Sequence, residues 1–294
     1  MSDLSSNSAP TKRGRGRPKL PQSDLQEPST VQALERGLGL LKILSKCDSA
    51  SLSDLSLQIG VPASTAYRLL HTLLKLEFVA FNESTQEWSI GVEAFAVGSG
   101  FFNRSNLIDA ARAVMRKLML ETDETSNLAI LSDSGFVTFL TQVETNNPIR
   151  AFHLPGTRSH AHSAGIGKAL LAEFSREQVE RVLHKNGLQS FTPNTLTAPA
   201  KLFENLEESF KRGWAFDDEE RHVGMRCIAA AIHNSRGEAI AGVSISGPTA
   251  RFPDESLPVL GLKVRQAAMD ITHMTGGKVQ DYEARRKMLN ARSA

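Results

Sequence analysis

Cysteine is nearly absent from this 294-residue chain, with Cys47 and Cys227 the only two. Two thiols so far apart build no disulfide framework, so a reducing, cytoplasmic compartment is expected. Long apolar runs are missing as well. No stretch approaches the ~18 apolar residues of a membrane span, and the N-terminus lacks the apolar core of a secretory leader. Neither charge sign dominates, with 34 Lys and Arg against 32 Asp and Glu. No internal repeat is visible. What is present is ordinary globular composition, 40% hydrophobic and 22% charged. The length suits about two domains of ~100–200 residues each.

Near-neutrality conceals an uneven distribution. Residues 1–28 are rich in Ser, Pro, Gly and Arg, cannot build a core, and are expected to be disordered. They carry Lys12, Arg13, Arg15, Arg17 and Lys19, against Asp3 alone among the first twenty residues. The Arg-Gly-Arg-Pro core is narrow enough to enter an A·T-rich minor groove, or it touches phosphates without reading sequence. Both readings have nucleic acid as the partner. Residues 29–92 hold five basic and six acidic side chains, so any DNA-binding role there depends on local placement.

Local placement favours DNA. Leu34, Leu38, Leu41 and Leu44–Ser45 keep helical spacing through 31–45, which predicts a first helix. A short second helix is expected over 54–59, capped by Ser53, with Leu55 and Ile59 inward. Gly60 and Pro62 suit a turn into a third helix, and 62–76 contains bases but no acid. There Leu69, Leu70, Leu73, Leu74 and Leu76 form an apolar face. Ser64, Thr65, Tyr67, Arg68 and His71 gather opposite it, the residue types that touch phosphates and base edges from a recognition helix. The period then shortens to two over 78–81 and 88–90, which predicts a hairpin. Three helices and a hairpin make a winged helix-turn-helix spanning 29–92.

A linker helix is expected over 93–106, then a helix from Leu107 with Ala111, Val114 and Leu118 inward. Beyond it, strands are predicted at 127–132, 136–144, 149–153, 227–233 and 239–246. Helices are predicted at 165–173, 176–184 (with a capping box of Ser175 and Gln178), 199–211 and 255–275. An α+β domain over 107–277 results, followed by a C-terminal tail at 278–294.

Two segments there are richer in small polar residues than packing needs. His162 to Ala169 opens a helix with two glycines, and its free N–H groups favour an anion. It lacks Gly-x-x-x-x-Gly-Lys-Ser/Thr, which excludes a nucleotide loop. Ser244 and Ser246 share one face of a strand, and Cys227 joins them if it lies on the neighbouring strand. Asp217, Asp218, Glu219 and Glu220 read mainly as a solvated turn. A metal site joined by His160 and His162 is the weaker alternative, and neither a metal nor a cofactor is predicted.

These stretches resemble the IclR family of bacterial transcriptional regulators over most of residues 30–277. The resemblance is carried by Gln32 to Leu38, Ser64 to Leu70, Ala164 to Ala172, Gly213 to Glu220, Gly224 to Ala230 and Ser244 to Pro248. The basic tail is similar to the subgroup of glyoxylate-bypass and allantoin regulators. The resemblance implies a GAF-like effector domain after the winged helix, and homodimers or tetramers on palindromic operator DNA. It further implies a small carboxylate, such as glyoxylate or another 2-oxo acid, held at Gly165, Ile166, Asp217, Cys227, Ser244 and Ser246. Ile166 is bulkier than the family's usual alanine, and Ala151 and Ser159 stand where an apolar wall is usual. The function expected is a repressor, not an enzyme and not bound to a membrane. The competing expectation is an enzyme acting on a small acid through Cys227 and Asp217.

Overall fold

The computed structural model describes residues 30–103, 107–279, 281 and 286–287. Arg13, Arg15, Arg17 and the rest of the 1–28 tail lie outside the described residues, as does most of 278–294. The chain divides into two compact units, Met1–Val97 and Gly98–Ala294.

In the first unit, α1 (Gln32–Leu44), α2 (Leu52–Ile59) and α3 (Ala63–Lys75) precede a small sheet. The sheet has the order β1-β3-β2, from β1 (Ala50–Ser51), β2 (Val79–Asn82) and β3 (Glu87–Ile90). Leu40, Leu44, Leu55, Leu70, Val79 and Trp88 form its core. Of the leucines that keep helical spacing on α1, Leu44 is buried and Leu41 partly buried, while Leu34 and Leu38 are exposed, and Gly37 and Leu40 complete the inner face. Both phases satisfy a 3.6-residue period, and packing selects between them.

The cap of α2 is corrected. Ser51 accepts the Asp54 amide at 3.2 Å, while Ser53 lies inside the helix. Pairing of Ala50 with Trp88 brings the helix start two residues earlier than a Ser53 cap requires. At its other end α2 stops on Gly60, whose φ of +69° is left-handed and suits a residue without Cβ. Leu76, expected inward, caps α3 and is exposed.

α4 (Val92–Asn103) covers most of the expected linker. The second unit is built on a sheet of order β6-β5-β4-β9-β8-β7, antiparallel at every pairing. Its strands are β4 (Thr125–Leu131), β5 (Phe136–Val143), β6 (Arg158–His160), β7 (Ala215–Asp218), β8 (Met225–His233) and β9 (Ala239–Pro248). Its helices are α5 (Leu107–Thr122), α6 (Gly165–Leu171), α7 (Arg176–Asn186), α8 (Pro199–Arg212) and α9 (Leu257–Met274). The α+β expectation holds. The capping box opens α7, with Ser175 and Gln178 each bonding the other's amide.

Strand alternation divides the core between the two faces of this sheet. Ile228, Ile232, Val243 and Ile245 pack with Met115, Leu118, Val264 and Ile271 from α5 and α9. Ala129 and Ala229 pack on the other face with Ile166, Leu170, Leu202 and Phe210 from α6 and α8.

Two strand expectations fail. Residues 149–153 are irregular, because the edge of β5 is already taken: Gly156 donates to the Phe139 carbonyl, and Phe139 donates to Thr157. β6 follows that contact, pairing His160 with Phe136. Conversely, the expected solvated turn at 217–220 begins inside β7, with Asp217 and Glu220 buried.

Candidate functional site

On α3, Ser64, Arg68 and His71 recur at i, i+4 and i+7, so they share one face, and all are exposed. Tyr67 flanks this face, 47% exposed, while Thr65 sits at its edge and is half-buried. Tyr67 and His71 bring their ring centroids to 4.3 Å, and His71 meets the buried Trp88 edge-on at 5.8 Å. The hairpin thus orients one side of the recognition face. Lys75, exposed at i+11 from Ser64, extends it; helical spacing was the available signal, and it was missed.

In the second unit the six expected effector residues surround one cavity of about 250 Å³. Cross-strand register brings them together. Cys227 pairs with Ser246 on one side and with Asp217 on the other. Ser244 pairs with Ala229 and Asn127, which puts both serine hydroxyls on the α6 side of the sheet. α6 closes from above. A Cβ on Gly165 would come within 2.7 Å of the Cys227 sulfur, so glycine permits this approach. The N–H groups of the first turn of α6 have no intrahelical partners.

Asn127 is the residue that sequence reading overlooked. Fully buried, it donates from Nδ2 to both Ser244 Oγ and Ser246 Oγ, each at 3.3 Å. Because those hydroxyls accept from Asn127, their protons are free to point elsewhere, and both bond toward the Cys227 sulfur. A polar start, Thr125-Ser126-Asn127, ahead of the apolar residues of β4 was the only trace in the sequence.

Burial dominates the electrostatics of this floor. Burial, with Asp217 beside it, pushes the Cys227 thiol up to about 12, so it is a weak donor and not a thiolate nucleophile. Burial next to Glu220 raises the Asp217 carboxyl to about 7, while Lys168 and the Glu220 amide, donating at 2.8 Å, oppose the rise. Lys168 is wholly buried under this floor, bonded to the Phe216 carbonyl and to Glu220. Burial raises Glu220 as well, against the pull of Lys168. Among the described residues no cluster of three or more His, Cys, Asp or Glu side chains has a metal-binding arrangement.

The mouth has different chemistry. Residues 150–153 cover it, with Ala151 buried and Phe152 55% exposed. His153 stacks on Phe139 at 4.1 Å, and burial lowers its pKa to about 4. Ser159 and Ala151, at the positions of the expected apolar wall, both line the space. Arg150, Arg221 and Arg226 lie around the rim.

A winged helix-turn-helix joined in one chain to an α+β domain with a small polar cavity defines a ligand-responsive class of DNA-binding transcriptional regulators. The chain belongs to the IclR family. Residues 33–83 match the IclR helix-turn-helix domain, and residues 100–273 match the bacterial transcriptional regulator IclR C-terminal domain. Over 261 residues it is 42% identical to the HTH-type transcriptional regulator BhcR of Paracoccus denitrificans, covering 89% of this chain and 93% of that protein. It is 39% identical to the transcriptional repressor IclR of Escherichia coli, over 91% of this chain and 97% of the relative. The crystal structure of Thermotoga maritima IclR superposes with a TM-score of 0.67 at 27% identity, covering 83% of this chain and 98% of that one. No described helix is long and apolar enough to cross a membrane.

Proposed function

We propose that the chain is a repressor whose operator affinity is set by a small carboxylate, glyoxylate or another 2-oxo acid, bound in the cavity of the second unit. The observation that carries this reading is the convergence of Asp217, Cys227, Ser244 and Ser246 beneath the first turn of α6, around about 250 Å³. Hydroxyls, backbone N–H groups and a neutral thiol offer donors to one carboxylate, while Lys168 beneath them compensates the buried Asp217 and Glu220 carboxyls. Ser64, Thr65, Tyr67, Arg68 and His71 read the operator in this account. Arg13, Arg15 and Arg17 attach the chain to phosphates or a minor groove, and a homodimer or tetramer presents paired heads to a palindrome. Residues 29–92 and 107–277 are the working domains, with 93–106 between them. The high thiol pKa and the regulatory roles of the relatives weigh against the enzyme reading.

The test is calorimetry on the full chain with glyoxylate and pyruvate, paired with selection of the bound DNA from a random-sequence pool. The reading requires heat of binding that Cys227→Ala and Ser246→Ala weaken, and a change in affinity for the selected DNA on adding acid. Absence of heat for both acids, with DNA affinity unmoved, overturns it.

A further inference from the structure

A two-carbon acid leaves most of this cavity empty. It displaces roughly two to three water volumes of ~30 Å³ each, well under half of the about 250 Å³ available. Ala151 and Ser159, both small, line the same cavity and leave that volume open.

Three arginines line this cavity, and their partners separate them. Arg150 donates to Glu144 at 2.7 Å. Arg226 is held by Asp218 at 2.6 Å, Asp254 at 2.8 Å and the Phe252 carbonyl at 2.7 Å. Both are neutralised inside the protein. Arg221 is different. Its Cζ lies over the Phe191 ring, 3.8 Å from the centroid, and its Nε and Nη1 are buried with no hydrogen-bond partner among the described residues. Asp217, the floor carboxyl, is the opposite charge it senses. The neighbouring His153 and His222 have pKa values lowered by burial first, so they stay neutral and add no competing cation beside Arg221.

A buried guanidinium nitrogen without an acceptor is costly, and a planar fork held over an aromatic ring is preorganised for a carboxylate. Accepting the small-acid reading of the floor, we infer that the effector carries a second carboxylate: a 2-oxo dicarboxylic acid of four or five carbons, whose distal group Arg221 binds at the mouth. The floor holds the oxo-acid head, Ala151 and Ser159 leave room for the methylenes, and Arg221 selects diacids over monoacids of the same length.

The test is a matched pair of five-carbon probes, 2-oxoglutarate and 2-oxopentanoate, titrated calorimetrically into the full chain alongside glyoxylate. Wild type is expected to bind 2-oxoglutarate at least about tenfold more tightly than 2-oxopentanoate, the order of one charge-assisted contact. Arg221→Gln is expected to bring that ratio close to one, and Arg221→Lys to leave an intermediate ratio. Should Arg221→Gln melt before it can be titrated, the wild-type ratio and the Arg221→Lys ratio decide. The inference is overturned if 2-oxopentanoate or glyoxylate binds wild type as tightly as 2-oxoglutarate, or if the ratio survives in a folded Arg221→Gln. Glyoxylate binding that depends on Cys227 and Ser246, without a diacid preference, removes this inference and leaves the floor reading standing. No heat from any of the three acids removes both.

Discussion

The two units use polar side chains in opposite ways. The first keeps its core apolar, around Leu40, Leu55, Leu70 and Trp88, and sets Ser64, Arg68 and His71 out in water on α3. The second buries polar groups outright, including Asn127, Lys168, Asp217, Glu220, Ser244 and Ser246. A duplex is large and comes to the protein surface, so its reader needs exposed donors on a rigid helix. A small ligand must be surrounded, and groups that surround it have to be satisfied when it is absent. Asn127 does this for the serine hydroxyls, and Lys168 does it for Glu220.

Substitutions in the two units should therefore differ in kind. The largest effect is expected for Lys168→Met, which strands Glu220 in the interior. Breaking one side of a buried pair costs about 3–5 kcal/mol, read by urea denaturation of the second unit. Removing both charges in Lys168→Met/Glu220→Leu should recover much of that loss. A single variant as stable as wild type would mean that the pair is not the support of the floor.

Arg68→Ala should leave the melting temperature unchanged and cost about 1–3 kcal/mol in affinity for selected DNA if Arg68 reads a base. Loss of stability instead of affinity would erase the contrast between the units.

Asp217 gives the second unit a pH signature of its own. Its folded pKa of about 7 lies above the ordinary 3.8, so between those values the unfolded chain ionises while the folded one keeps its proton. Stability should fall as pH rises through that window, by at most about 1.4 kcal/mol per pH unit from this group. Asp217→Asn should flatten the slope in denaturation curves between pH 4 and 7, and an identical slope in the variant would refute the assignment.

The smallest effect is expected for Lys75→Ala. As a phosphate contact it should weaken all DNA sequences alike and lower the salt dependence of binding by about one counterion. Altered sequence preference in this variant would move Lys75 from positioning to reading.

Much of the first unit was legible from local pattern. Gly60, the leucine period of α3 and the switch to period two after Leu76 each report on a few neighbouring residues, and local geometry decides them. The inner face of α1 was legible only in part, Leu44 being buried while Leu34 and Leu38 are exposed, because two phases fit the same spacing. In the second unit, the strand content of 227–233 and 239–246 was legible, and so was the shared face of Ser244 and Ser246. The irregular run at 149–153 and the short β7 were not, since each depends on which edge of the sheet is already occupied.

The amino-acid sequence alone determined the family, the recognition helix and the chemical types at the floor of the cavity, because periodicity, turn residues and motif identity are written in short stretches of chain. Only the tertiary structure decided that Asn127 orients two serines, that Lys168 lies beneath Asp217 and Glu220, and that Arg221 alone among the rim arginines lacks an acceptor among the described residues. Those facts follow from strand register and burial, which depend on residues far apart in the chain and on how completely water is excluded where they meet.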